Sequence, residues 1–274
     1  MSSAIKTLQQ FRLQYTLVSH IGDGGYGSVF VCEDLKTGQQ RAVKTMEDKR
    51  CKNRTYCPLR RTSLPNEIVL WEHLSHPNIP ALVDFFFCSE TRRWYIVMEY
   101  EPEFEDLFNH IDRVGSLSST DAANLIRQLV QVVYYLTRNN IDHRDLKDEN
   151  ILYNPTTKQI KLIDFGSSAH LSPDPYTSFR GTDVYIPPEF YLRKQYYSFA
   201  ATTWSIGCIA YILLAGDCPF QSVAQITEFK QLEDLKHELG GRTTRLNFIR
   251  SCMAPDPDNR ALLSDLILHP WLKR

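Results

Sequence analysis

The chain has 274 residues, 43% of them hydrophobic and 23% charged, an ordinary globular composition that suffices for one large domain or two small lobes. Its net charge of -1 supplies no global field that would favour nucleic acid or an anionic membrane. Seven cysteines, an odd number without metal-ligand spacing, read as reduced structural thiols of a cytosolic or nuclear protein.

The N-terminus, MSSAIKTLQQFRLQY, has no apolar run long enough for a signal peptide. Residues 15–21, 27–33 and 40–46 are short β-prone runs separated by Gly-rich and Lys-Thr-Gly turn chemistry. Residues 49–61 are basic and polar, interrupted by Pro58, and read as an exposed loop. Apolar residues at 64, 68, 70, 71 and 74 predict an amphipathic helix over 64–74. Two further strands are expected over 81–88 and 94–99.

After Pro102 the pattern changes. Residues 120–138 carry apolar positions at 122, 125, 126, 129, 132, 133 and 136, a strong helix that Ser119 or Thr120 can cap. Residues 151–153 and 160–163 read as a small hairpin. Residues 202–215 form a nearly all-apolar helix, which belongs at a core. Its apolar stretch, 206–215, is too short to span a bilayer and contains Gly207. A strand-rich lobe precedes a helix-rich lobe, with a joint at 99–103 and a ligand cleft expected between them.

The chemistry begins in IGDGGYGSVF, where Gly22, Gly24 and Gly27 keep a G-x-G-x-x-G-x-V spacing. Glycines let main-chain N–H groups approach a phosphate with no Cβ in the way. A dinucleotide-binding loop leads from strand into helix; this one leads into another strand, so a hairpin lid over phosphates is the reading. Ala42 and Lys44 share one face of the next strand. The small residue can roof an adenine while the lysine reaches the α- and β-phosphates, if Glu67 on the following helix holds it. Further on, IDHRDLKDEN gathers Asp145 to accept a proton or hydrogen bond from an attacking hydroxyl, Lys147 to neutralise a phosphoryl group, and Asn150 to offer a carbonyl oxygen to Mg²⁺. Fourteen residues later, LIDFGS supplies Asp164 as an anionic metal ligand.

Taken together and in this order, these motifs resemble a eukaryotic protein kinase catalytic domain over almost the whole chain. The resemblance implies an α+β, bilobal protein-kinase-like fold with a small β-rich N-lobe, a larger, mostly helical C-lobe and an ATP cleft. Its divisions are 1–14 as an N-terminal extension, 15–98 as N-lobe, 99–103 as hinge and 104–274 as C-lobe. It implies that Asp145 is the catalytic base with Lys147 beside the γ-phosphate, that Lys44 pairs with Glu67, and that Asn150 and Asp164 bind Mg²⁺. Met98 becomes the gatekeeper, Glu99 and Glu101 the hinge contacts to adenine, and Ile21, Val29, Ala42, Leu152 and Ile163 the walls around the ring. Gly181 and Thr182 match the substrate platform, and Pro187-Pro188-Glu189 stands where Ala-Pro-Glu is usual, with Arg260 as the partner of Glu189.

HRDLKDEN, KLIDFGS, VYIPPE, AATTWSIG and GDCPF resemble the PIM family of Ser/Thr kinases most, with PAS-domain kinases second. Lys147 points to Ser/Thr rather than Tyr specificity. Most kinases carry an Asp two residues before the tryptophan of the central helix, anchoring the catalytic-loop backbone; Thr202 stands there, a change the PIM family shares. PIM hinges carry a proline that removes one adenine-facing donor. Here Pro102 lies one place later, so Glu101 keeps its N–H and a two-bond adenine contact is expected.

Arg144 calls for an anion from the activation segment, where Ser178 and Arg180 replace expected acids and Asp174 lies upstream. Phosphorylation of Thr177 or Ser178 would supply one; Asp174 or main-chain carbonyls are the alternative. Asp106, Asp148, Glu149, Thr182 and Asp217 match the substrate groove and imply a preference for basic residues N-terminal to the target. The partners expected are ATP and Ser/Thr-containing proteins, without nucleic acid or membrane, and the chain is expected to be a monomer in the cytoplasm or nucleus. A pseudokinase scaffold and a small-molecule kinase are the competing readings. Intact Lys44, Asp145, Asn150 and Asp164 weigh against the first, and the peptide-platform segment with Arg260 against the second.

Overall fold

Two faces of one sheet organise the N-terminal part of the protein, in a computed structural model that describes residues 5–24, 27–51, 53–57, 60–179, 183–228 and 244–273. The chain divides into two units, Met1–Glu103 and Phe104–Arg274. The first contains, in chain order, β1 (Ile5–Lys6), α1 (Leu8–Arg12), β2 (Tyr15–Gly24), β3 (Gly27–Asp34), β4 (Gln40–Glu47), β5 (Arg54–Cys57), β6 (Thr62–Pro65), α2 (Asn66–Trp71), β7 (Leu82–Cys88) and β8 (Arg93–Glu99). Six strands form a sheet in the order β1-β7-β8-β4-β3-β2, with β1 parallel to β7 and the other neighbours antiparallel.

The register decides what each face does, because residues directly opposite on antiparallel strands project together. Phe30, Val43 and Val97 lie in one row, and Cys32 and Tyr95 share their face. There α1 docks through Phe11, whose ring meets Tyr15, Phe86 and Tyr95 at centroid distances of 5.3–5.5 Å. Residues 5–14 are thus built into this unit. Thr7 caps α1 through the Gln10 N–H, and the Lys6 ammonium is tied to Asp84 at 2.5 Å and Gln14 at 2.9 Å.

Two sequence expectations change here. The expected loop over 49–61 contains a 3-10 turn, Asp48–Arg50, and strand β5, paired antiparallel with β6. Asp48 holds this hairpin by accepting from Arg54 and from the Trp94 indole N–H. The expected helix over 64–74 is shorter, Asn66–Trp71. Leu64 precedes a proline, which disfavours helical backbone, and it is buried as the third residue of β6.

The second unit contains β9 (Glu105–Asp106), α3 (Leu107–Val114), α4 (Ser119–Arg138), β10 (Ile141–Asp142), β11 (Ile151–Tyr153), β12 (Ile160–Leu162), β13 (Ala169–His170), α5 (Pro188–Arg193), α6 (Ser198–Ala215) and α7 (Val223–Glu228), then helices Thr244–Cys252 and Leu263–Ile267. Ser118, rather than Ser119 or Thr120, caps α4 by accepting the Asp121 N–H at 3.1 Å. Helix α6 starts four residues before the expected 202–215 and is long and apolar enough to cross a membrane by length and composition alone. It is instead 72% buried inside this unit, against α4 and Thr244–Cys252. It ends at Gly216, whose φ of 82° and a would-be Cβ 2.1 Å from the Gly115 carbonyl oxygen both demand glycine. The expected hairpin forms as β11 and β12 and gains β9 as a third strand, while β10 pairs with β13. Glu189 at the start of α5 and Arg260 form a buried, two-pronged ion pair, at 2.8 and 2.6 Å.

Candidate active site

In the first unit the sheet face opposite α1 carries the expected nucleotide residues. Gly22 pairs with Val29, Val29 with Lys44, and Ala42 with Met98. Alternation then places Val29, Ala42, Lys44 and Met98 on one face. The lysine is 8% exposed and its ammonium lies 2.7 Å from the Glu67 carboxylate of α2, itself 4% exposed. A lone strand lysine would be solvated; this one is held by a buried partner from another element. Ile21 is exposed near the tip of the β2–β3 hairpin. Gly24 pairs with Gly27, and Gly27 has a structural task of its own: a Cβ there would lie 1.6 Å from the Thr45 carbonyl oxygen. At Gly22 a Cβ would meet nothing within 4 Å. Glu99 ends β8, where its N–H donates to the Ala81 carbonyl and its carboxylate accepts the Ala81 N–H, and Glu101 lies two residues further on.

In the second unit the loop between β10 and β11 brings the charged groups together. The Asn150 side-chain N–H₂ donates to the Asp145 carbonyl at 2.8 Å and to its carboxylate at 3.1 Å. That arrangement turns the Asn150 side-chain oxygen into the atom available to a hard cation. Burial pushes the Asp145 carboxyl above its usual range; the Lys147 charge and the Asn150 bond oppose this, and Asp164 and Glu149 add to it. For Lys147 burial pulls downward, but the Glu149 hydrogen bond and the charges of Asp145, Glu149 and Asp164 prevail and raise it. Asp145, Lys147 and Asp164 therefore lie within electrostatic reach of one another, with Lys147 bridged to Glu149 at 2.7 Å. Leu152 lies on β11 and Ile163 just after β12, its N–H bonded to the Asn150 carbonyl.

Among the described residues, seven non-glycine residues have positive φ, and two of them are Arg144 (65°) and Asp164 (63°), which flank this cluster. Left-handed backbone at such residues costs on the order of 1–3 kcal/mol, and it persists where surroundings enforce it. At Asp164 the carboxylate accepts the Gly166 N–H at 3.2 Å. At Arg144 the guanidinium stacks over the Tyr176 ring at 4.0 Å. Tyr176 is in turn bonded through its main chain to Tyr196.

The metal reading passes a chemical test. Among the described residues no set of three or more His, Cys, Asp or Glu side chains is arranged to hold a metal alone. One carboxylate and one amide oxygen, Asp164 and Asn150, suit Mg²⁺, which keeps phosphate oxygens and waters in its shell.

Asp148 departs from its expected role. It is 6% exposed, and its carboxylate accepts the Tyr185 hydroxyl at 2.8 Å while the same hydroxyl receives the Asp148 N–H. It is a buried anchor rather than a groove acid, and burial raises its pKa. Asp106 caps α3 through the Asn109 N–H, and Asp217 is exposed and accepts the Cys218 N–H. Burial raises the Cys218 thiol, and Asp148, Asp217 and Glu149 all act on it electrostatically and help to raise it. Thr177 and Ser178 are exposed; Arg180, Gly181 and Thr182 lie outside the described residues.

Two supporting residues went unread in the sequence. Tyr185 holds Asp148, and the Nε2–H of buried His143 donates to the Ile163 carbonyl at 3.0 Å, tying the loop to the strand before Asp164. Burial takes His143 down to about 4, so its ring is neutral near pH 7. The only available signal was their adjacency to motif residues.

The protein kinase domain family matches residues 15–272. Among relatives, the serine/threonine-protein kinase pim-2 of Danio rerio is 34% identical over 272 residues, 96% of this chain and 86% of that protein. The calcium/calmodulin-dependent protein kinase type 1 of Caenorhabditis elegans is 34% identical over 270 residues, 95% of this chain and 75% of that one. The serine/threonine-protein kinase prk-2 of Caenorhabditis elegans is 32% identical, over 97% of this chain and 59% of its own length.

Proposed function

This chain belongs to the protein kinase family, as an ATP-dependent protein serine/threonine kinase, and we propose the following division of work among its residues. Lys44, held by Glu67, takes the α- and β-phosphates. Asp145 receives the proton of the substrate hydroxyl, and Lys147 neutralises the transferring group. Asn150 and Asp164 hold Mg²⁺, which would supply charge neutralisation at the phosphates. The observation that carries the reading is the convergence of Asp145, Lys147, Asn150 and Asp164 in one loop cluster of the second unit.

In the first unit the residues available to adenine are Ile21, Val29, Ala42 and Met98, beside the Gly22, Gly24 and Gly27 hairpin and the main chain of Glu99 and Glu101; in the second unit they are Leu152 and Ile163. The substrate preference is for basic residues N-terminal to the target. Asp106, Glu149 and Asp217 supply the negative charge, and their number without Asp148 makes the preference moderate. Thr177 and Ser178 are modification sites that tune activity; Tyr176 on Arg144 supports docking of the segment without phosphate. The chain acts as a monomer in the cytoplasm or nucleus, a reading supported by seven unpaired thiols.

The test is ATP turnover on an arrayed peptide library, with Asp164→Asn and Lys44→Met as controls. Phosphate on basic Ser/Thr peptides, lost in both variants, is the expected result. Nucleotide binding without transfer by the unaltered chain would defeat the proposal.

A further inference from the structure

The catalytic loop contains a buried acid that phosphoryl transfer as described does not use. Asp142 is 5% exposed, between apolar Ile141 and the neutral ring of His143, on the two-residue strand β10. Burying a carboxylate is unfavourable unless hydrogen bonds satisfy it. Here the satisfying groups are specific: the Ser198 hydroxyl, from the first turn of α6, and the main-chain N–H of Arg144, two residues along the loop. Asp142 therefore links the central helix of this unit to the backbone of the catalytic loop.

That link matters because of Thr202. The residue two places before Trp204 is the one from which kinases usually send an Asp carboxylate to the catalytic-loop backbone, and here it is a threonine. Ser198 and Thr202 are four apart on α6 and so lie on one face of it. Both line the same small cavity, about 10 Å³, together with Asp142, Leu136, Leu146 and Leu263. Carboxylate and helix thus meet where they would in a chain with an Asp at 202, but the acid comes from the loop and the hydroxyl from the helix.

We propose that Asp142 is a positioning residue that takes over the anchoring task of the missing helix carboxylate, fixing the Arg144–Asp145 backbone to α6 through Ser198. It touches no substrate; it acts through Asp145. The inference rests on the kinase reading above.

The experiment compares the full chain with Asp142→Leu, Asp142→Asn and the double variant Asp142→Leu/Thr202→Asp, with Asp145→Asn as the inactive control. A displacement of Asp145 on the order of 1 Å would lower turnover about 100-fold. The expected result for Asp142→Leu is a kcat lower by about 10- to 100-fold with KM for ATP within about twofold. Thr202→Asp in that background restores most of the loss, by returning a carboxylate to the same cavity from the helix side. A merely structural role would move melting temperature without this rescue. Should Asp142→Leu fail to fold, Asp142→Asn and Asp142→Asn/Thr202→Asp give the same comparison. Unchanged kcat in the single variants, or no recovery in the double variant, overturns the proposal. An unaltered chain without transfer activity defeats the kinase reading instead.

Discussion

Glu189→Gln should be among the most destabilising single-atom-scale changes in the C-terminal unit. The Arg260 guanidinium has a side chain 1% exposed and donates to both Glu189 oxygens, to the Ala254 carbonyl at 2.9 Å and to the Ala200 carbonyl at 2.9 Å, while stacking 4.9 Å over Trp204. Breaking a buried pair from one side leaves an uncompensated charge, an effect of about 3–5 kcal/mol. Glutamine keeps one acceptor oxygen and leaves the two carbonyl bonds and the Trp204 stack in place, so the lower end, about 3 kcal/mol, is expected. At about 2–4 °C per kcal/mol for a domain of this size, the melting temperature falls by roughly 6–12 °C. Thermal unfolding without nucleotide or Mg²⁺, where ligand linkage adds nothing, reads this directly. Glu189→Gln/Arg260→Met removes both charges and should recover to within about 2 kcal/mol of the starting protein. A loss below about 1 kcal/mol for Glu189→Gln, or a double variant as unstable as the sum of the singles, would refute the reasoning.

The two ends of the glycine hairpin separate binding from folding. Gly22→Ala meets open space, so stability should hold while KM for ATP rises. Gly27→Ala drives a Cβ into the Thr45 carbonyl and should lower the melting temperature by several degrees, both read from the same thermal scans and initial rates. Lys44→Met removes the ammonium that faces the buried Glu67 carboxylate, so it should lose about 3 kcal/mol along with activity. Lys44→Met/Glu67→Gln should regain the stability and stay inactive, and recovery of neither would show that the pair is not the cause. His143, held at about 4 when folded against about 6.5 unfolded, contributes full stability above pH 6.5 and loses it as pH falls from 6.5 toward 4, about 3 kcal/mol in all. Denaturant titrations of the unaltered chain and His143→Phe over that window should differ in slope, with the variant the flatter of the two.

The sheet and the long helices were legible because their signal is local. Residues 27–33 and 40–46 are β-prone runs bounded by turn chemistry, and the apolar positions of α4 recur at helical spacing, so composition and period place them. The strand Arg54–Cys57 inside the expected 49–61 loop was not, because it is polar and is held by Asp48 and Trp94, residues outside the segment. Residues 5–14 failed for a similar reason: a few apolar residues, Ile5, Leu8, Phe11 and Leu13, spaced through a short polar stretch give no decisive pattern, and only the sheet they land on makes Phe11 core. The site motifs were readable as chemistry, since Asp145, Lys147, Asn150 and Asp164 are residue types with few other uses at that spacing. Asp148 was misread because acidity is visible in a sequence and burial is not; Tyr185, thirty-seven residues away, decides its role.

The departures from family pattern concentrate on the loop that carries Asp145, and they compensate one another. Arg144 lacks the acidic segment residues that the resemblance implies, and Tyr176 covers its guanidinium. Thr202 lacks a carboxylate, and Asp142 bonds Ser198 four residues earlier on the same helix face. Asp148 anchors the loop's far end to Tyr185, and His143 ties its start to Ile163. A loop with positive φ at Arg144, joined to Asp164 with the same strain, holds its shape only if several neighbours enforce it. Four separate tethers on residues 142–148 meet that requirement: His143 and Asp148 belong to the HRDLKDEN motif itself, while Asp142 on Ser198 and Tyr176 on Arg144 stand in for the missing acids. Loss of a motif residue is therefore weak evidence of inactivity until the neighbours of its cavity have been read.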